Sequence, residues 1–193
     1  MLKTRKLSRK EQITKVATLL FRKKGYTAAS MRDLATELGI EAASLYSHIR
    51  SKEQILDKIC FRMVDAFVEG LNQVEQEVIG ADAKLRRAIV THIVVITRDT
   101  DASAVFFNEW RHLSNERLQE FLLQREAYEE RFREIMREGI RDGVFKEVDA
   151  RFATLTLLSS LNWTYNWYRK DGKMSPEEIG NQLADLLING LKQ

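Results

Sequence analysis

Only one stretch of this chain, Ile89-Val90-Thr91-His92-Ile93-Val94-Val95-Ile96-Thr97, has the β-branched density of a strand, and no second stretch exists to pair with it. A lone strand leaves its backbone N–H and C=O groups without partners, so the segment is expected to be helical and the chain all-α. Elsewhere the apolar residues recur at helical spacing. Ile13, Val16, Ala17, Leu20 and Phe21 form one stripe between a capping box at Ser8 and Glu11 and a stop at Gly25. Ser175-Pro176-Glu177-Glu178 combines an N-cap serine, a proline at the first helical position and a glutamate at the third. With one proline and nine glycines in 193 residues there are few breaks. The pattern predicts about nine helices, over 8–24, 30–38, 41–49, 51 to Gly80, 85–98, 102–113, 115–140, 149–169 and 175–192. Ser51 and Gln54 form a further capping box at the fourth.

Charge is unevenly placed. Residues 1–52 hold 12 Lys/Arg against 4 Asp/Glu, whereas the remainder holds 19 against 24. A basic head on a mildly acidic body suits a polyanion partner, or else is a solvated lysine-rich tail. Within the head, residues 30–49 read as helix, glycine turn, helix. Ser30 caps the first of these helices, Ala35 is small where the two cross, and Gly39 supplies the turn. Leu34, Leu38, Ile40 and Leu45 face the first helix. Glu41, Ala42, Ala43, Ser44, Ser47 and His48 are left on an exposed face narrow enough for a major groove.

Residues 8–56 resemble the N-terminal domain of TetR-type (tetracycline-repressor-like) transcriptional regulators. The likeness is carried by Phe21-Arg22-Lys23-Lys24-Gly25-Tyr26, Ser30-Met31-Arg32-Asp33-Leu34-Ala35, Leu38-Gly39-Ile40 and Ser44-Leu45-Tyr46-Ser47-His48-Ile49-Arg50-Ser51-Lys52-Glu53. It implies a homodimer with a helix-turn-helix DNA-binding domain at 1–52 and a helical ligand-binding and dimerisation domain at 53–193. By position, Tyr46, His48 and Lys52 would contact phosphates, with Ser30 doing so from a helix start. Ala43, Ser44 and Ser47 would approach base edges. Tyr46 has partial core packing as its other reading. Arg5, Lys6 and Arg9 would add backbone or minor-groove contacts on charge and location alone. Two departures stand out: Ile49 replaces the family's usual Phe, and Glu41-Ala42-Ala43 offers little to read guanine, which shifts weight to shape and phosphates.

In the body, aromatic residues gather with a few polar ones: His92, Phe107, Asn108, Trp110, Arg125, Tyr128, Phe132, Asn162 and Trp163. They line a ligand cavity, or else make up a packed core with a dimer interface. The stretches Phe107-Asn108-Glu109-Trp110-Arg111, Tyr128-Glu129-Glu130-Arg131-Phe132 and Asn162-Trp163-Thr164-Tyr165-Asn166-Trp167-Tyr168 are similar to a TetR subgroup that senses acyl-CoA thioesters. That likeness implies an acyl chain among the aromatics and a phosphorylated head near Arg111, Arg125 or Arg133. The last two helices carry more apolar surface than one subunit covers. Leu155, Leu158, Leu183 and Leu187 are the interface candidates, on an antiparallel pair that meets its symmetry mate as a four-helix bundle.

Catalytic signatures are missing. Glu109 and His112 make a single Glu-x-x-His, where a di-iron bundle needs two with two further glutamates. There is no Gly-rich phosphate loop, Gly-x-Ser-x-Gly elbow or His-Glu-x-x-His. Neither an enzyme, a metal site nor a cofactor is expected. The lone Cys60 excludes a disulfide framework, and no apolar run approaches the roughly 20 residues of a membrane span. No cleavable leader follows the basic start, and the cytoplasm is the expected compartment. The chain thus reads as a regulator, most readily a homodimeric repressor released from a palindromic DNA operator by a small amphipathic effector such as an acyl-CoA. An effector-independent or architectural DNA binder is the alternative.

Overall fold

The computed structural model describes residues 7–192. Reciprocal caps start three of its helices: Ser8 with Glu11, Ser30 with Asp33, and Ser175 with Glu178. The helices are α1 (Arg9–Lys24), α2 (Met31–Glu37), α3 (Ala42–Tyr46), α4 (Lys52–Glu75), α5 (Ala81–Arg98), α6 (Thr100–Glu109), α7 (Asn115–Arg141), α8 (Ala150–Asn162), α9 (Thr164–Trp167) and α10 (Pro176–Asn189). A 3-10 turn, Trp110–His112, follows α6. No strand occurs among the described residues, and none of their helices is long and apolar enough to cross a membrane. The β-branched run lies inside α5, where Ile89, His92, Ile93, Ile96 and Thr97 are buried on one side.

Three local readings change. The helix expected over 149–169 breaks after Asn162. Tyr165 on the short α9 stacks on Phe107 at 5.5 Å and donates to Asn108 Oδ1 at 3.1 Å, which ties the segment to α6 rather than to the axis of α8. Gln54 does not complete a box with Ser51. Its side chain accepts from the Arg50 backbone N–H at 3.0 Å, while Ser51 alone caps α4. Helix α3 is one turn shorter than expected, because Glu41 makes no side-chain cap and the chain leaves the helix after Tyr46.

Gly39 has φ 63°, the left-handed turn between α2 and α3, and the Ile40 N–H returns to Ala35 O at 3.0 Å. Leu34, Ala35, Leu45 and Ile49 then pack beneath α1 and the start of α4 in one cluster. That cluster continues through Met63, Phe67 and Phe106 to Phe121 and Tyr165, so apolar packing is unbroken from head to body. A second cluster joins α5, α7, α8 and α10 around Leu85, Ile89, Phe132, Leu157 and Ile188. Helix α5 is its axis: α10 lies along it, and α4 and α7 flank it. The last two long helices are therefore not each other's main partners. Within the subunit α10 rests on α5 and α8 on α7, because each buries its apolar stripe there.

Candidate nucleic-acid face and effector cavity

Helix α3 shows solvent most of the residues that its spacing predicts, while Ala42 is half-buried against the core. Ala43, Ser44, Tyr46 and Ser47 are exposed, His48 is half-buried, and Leu45 and Ile49 turn inward. Tyr46 is 51% exposed, which removes core packing as its role. Ser47 Oγ donates to Ser44 O at 2.7 Å, which leaves its lone pairs free to accept. At the start of α2 the Ser30 hydroxyl donates to Asp33 Oδ2 at 2.7 Å, and Asp33 pairs with Lys24 at 3.1 Å. Those Ser30 hydrogen bonds, and Lys24 after them, hold the Asp33 carboxyl down at about 2. Arg9 bonds Gln12 at 3.0 Å. Arg5 and Lys6 lie outside the described residues. Arg32 and Arg50, which sequence reasoning passed over, are exposed and have no carboxylate partner among the described residues.

Lys52 is already engaged within the fold. Its ammonium donates to Tyr26 O at 2.8 Å and Ala29 O at 2.9 Å, and sits 4.2 Å from the Tyr26 ring centre. It pins the α1–α2 loop to the start of α4, so a phosphate contact would have to replace these bonds. Lys52→Met, which keeps the stem and removes the charge, should therefore lower stability by about 2 kcal/mol. It should also weaken DNA binding without changing its salt dependence. A slope of log K against log salt reduced by about one unit would return Lys52 to the phosphate contacts.

The body holds a cavity of about 290 Å³. Of the nine candidates, His92, Phe107, Trp110, Arg125, Tyr128 and Asn162 lie on its wall. The other three lie off the wall. Asn108 turns away to bond Tyr165, Phe132 is buried behind His92 at 6.4 Å edge-on, and Trp163 points outward with 62% of its surface exposed. Leu158, expected at a subunit interface, is instead buried and lines the cavity. Leu155 is exposed, and Leu183 and Leu187 are half-buried. The exposed apolar residues of α8 and α10 are Phe152, Leu155 and Leu186, joined by Trp163 and Trp167 at α9.

The cavity has two ends. At the mouth, Arg111 lies over the Trp110 indole at 4.2 Å and Arg125 approaches the same ring at 5.2 Å. Arg125 also faces Glu129 at 3.5 Å, whereas Arg111 has no carboxylate partner among the described residues. Arg133, the third candidate for a phosphorylated head, is buried and neutralised by Glu126 and Glu130 on its own helix, which leaves it no charge to offer a ligand. At the floor, His92 sits between Tyr128 and Asn162. Nδ1 is 2.9 Å from the Tyr128 hydroxyl and Nε2 is 2.9 Å from Asn162 Oδ1, while the ring stacks on Phe67 at 4.7 Å.

Burial pushes the His92 pKa down to about 4, against the pull of the Asn162 hydrogen bond, so the ring is neutral. The unfolded imidazole titrates near 6.5. Between those values the unfolded chain takes up a proton that the folded one refuses, so stability is full above about pH 6.5 and declines as pH falls towards 4. The loss at pH 5 should be about 2 kcal/mol. Denaturant midpoints at pH 7 and pH 5 check this, and His92→Gln should remove most of the difference. Asp33 acts only at lower pH, between its ordinary value and about 2.

The turn beside the mouth reaches the head. His112 directly follows Arg111 and stacks on Tyr26 at 5.2 Å, with Nε2 3.5 Å from Thr27 Oγ1. Glu109 is 3.6 Å from the same nitrogen. No group of three or more side chains able to hold a metal occurs among the described residues. The Glu-x-x-His pair belongs to this contact between body and head.

Two family profiles match. One, described as "Bacterial regulatory proteins, tetR family", covers residues 13–59, and "Tetracyclin repressor-like, C-terminal domain" covers 79–191. The chain is 26% identical to the HTH-type transcriptional repressor KstR2 of Rhodococcus jostii (strain RHA1) over 188 residues, 96% of this chain and 92% of that one. It is 34% identical to the crystallised TetR family regulator PfmR from Thermus thermophilus, with a TM-score of 0.83 over 94% of this chain and 100% of that one. Against the crystal structure of AibR in complex with isovaleryl coenzyme A and operator DNA, identity is 26% and the TM-score 0.80, over 96% and 98% of the two chains.

Proposed function

Because the chain belongs to the TetR family of bacterial regulators, which are transcription factors and not enzymes, we propose that it is a homodimeric repressor released from a palindromic operator by an acyl-CoA-like effector. The observation that carries this reading is a single short turn with two faces. Trp110 and Arg111 form the cavity mouth, and His112 presses on the DNA-binding head. A cavity of about 290 Å³ is at the lower end for a ligand site and suits an acyl part, with the anionic remainder outside the mouth against Arg111 and Arg125. AibR, similar over nearly the whole chain, was crystallised with isovaleryl coenzyme A and DNA.

On the DNA side, Ala43, Ser44 and Ser47 approach base edges, and Tyr46, His48 and Ser30 approach phosphates. Arg9, Arg32 and Arg50 supply charge, and residues 1–52 act as the reading unit of a cytoplasmic protein. The exposed apolar stripe of Phe152 and Leu155 on α8, with Leu186 on α10, meets its symmetry mate. That places two recognition helices about 34–36 Å apart, one turn of duplex.

Selection on random duplexes supplies the operator, and titration with octanoyl-CoA tests the switch. Operator affinity should fall by about 5–150-fold, a coupling of about 1–3 kcal/mol. Octanoyl-CoA that binds the protein and leaves operator affinity unchanged would refute it as an effector. A protein stabilised by no ligand at all in a thermal screen would favour the effector-independent alternative.

A further inference from the structure

We infer that the cavity floor formed by His92, Tyr128 and Asn162 is a recognition site for an uncharged oxygen, a carbonyl or hydroxyl carried on the buried end of the effector. The inference rests on the reading that this cavity holds the effector, and it specifies what kind of acyl chain enters. Three polar side chains from three different helices meet there among aromatic rings, where an apolar core would pack without the cost of burying polar atoms.

Their hydrogen-bonding capacity is unevenly used. The neutral imidazole has one donor and one acceptor. With Asn162 Oδ1 accepting from Nε2–H, Nδ1 accepts from the Tyr128 hydroxyl, and both ring nitrogens are satisfied. The Asn162 amide nitrogen bonds no protein group among the described residues, and the phenol oxygen of Tyr128 keeps a free lone pair. Both residues line the cavity. The floor therefore offers two N–H donors and one acceptor to whatever lies against it. A ketone oxygen takes the amide protons, and a hydroxyl does so while donating to Tyr128. A methyl terminus leaves both groups unpaired. A carboxylate is disfavoured, because its charge would be desolvated there and Arg131, the cation whose field reaches Tyr128, is already paired with Glu75. The arginines lie at the other end, so the ligand is oriented with its anion at the mouth and its neutral oxygen inside.

Small probes test the floor independently of any CoA group. Dissociation constants of 4-phenyl-2-butanone and n-butylbenzene are measured on the full-length protein and on Asn162→Leu, using Trp fluorescence or calorimetry. The ketone-to-hydrocarbon affinity ratio should drop about tenfold in the variant. Tyr128→Phe is the second arm, useful also should Asn162→Leu fail to fold. It should lower the relative affinity of 4-phenyl-2-butanol and leave the ketone ratio in place. Ratios unchanged in both variants, or neither probe entering the cavity, would overturn the inference. Failure of both octanoyl-CoA and 7-oxooctanoyl-CoA, which carries a ketone at the buried end, to release the operator while these ratios behave as expected would instead count against the acyl-CoA reading and leave the floor's specificity standing.

Discussion

Phe67→Ala should cost the folded chain about 3–5 kcal/mol, more than any other single truncation at the cavity. The ring is the hub of the aromatic cluster. It stacks on His92 at 4.7 Å and lies 5.6 Å from Phe106, 6.3 Å from Phe107 and 5.7 Å from Tyr128, touching α5, α6 and α7 at once from its place on α4. Truncation removes the transfer free energy of a buried phenyl group and opens a void that helices held on three sides cannot close. The functional consequence follows from the same position. Helix α4 starts at the Lys52 clamp in the head and passes the cavity at Phe67, so the proposed effector, seated against this ring, would push on the helix that carries the head. Denaturant unfolding of the wild type and Phe67→Ala measures the cost. A loss below about 1 kcal/mol would show that the cluster collapses around the gap and that Phe67 holds nothing in place.

The parts of this architecture that can be read from sequence are those set by neighbours a few residues away. The caps at Ser8, Ser30 and Ser175 involve residues three apart, and α3's outward Ala43, Ser44 and Ser47 follow from helical period once Leu45 and Ile49 are assigned inward. Six of nine cavity candidates reach the wall because aromatic and polar side chains at helical spacing concentrate there. The misplaced ones depend on distant partners or on one residue of register. Lys52 reads as a free cation until the fold brings carbonyls 23 and 26 residues away to its ammonium. Arg133 reads as an anion-binding group until burial between two glutamates neutralises it. Leu158 and Trp163 are both apolar and five apart. Helical period already sets them on different faces, and the packing of α8 on α7 decides that the first faces in and the second out. The contact of His112 with Tyr26 spans 86 residues and has no local signal.

That contact carries the second large effect. His112→Ala should leave effector binding to the cavity within about twofold, yet shrink the operator response from the proposed 5–150-fold to less than about threefold. Trp110 and Arg111 belong to the cavity mouth, and a 3-10 turn of three residues has little freedom to move one residue without the next. A displaced turn therefore drives the imidazole against Tyr26. The Tyr26 ring and carbonyl are joined to Lys52, whose third contact, Ala29 O, adjoins the Ser30 cap of α2. Each link is a packed or hydrogen-bonded contact, and the chain leads from ligand to the helix-turn-helix in four residues. A coupling of about 1–3 kcal/mol is within what one stacked ring pair and its associated hydrogen bonds supply. His112→Phe separates the parts: it keeps the stacking, removes the polar contacts to Thr27 and Glu109, and should retain most of the response. Parallel titrations of octanoyl-CoA with and without operator measure binding and release separately. Full release in His112→Ala would place the coupling elsewhere, for example in α4 at Phe67 or in the packing of α1 on α6 with its Arg22–Asp101 ion pair.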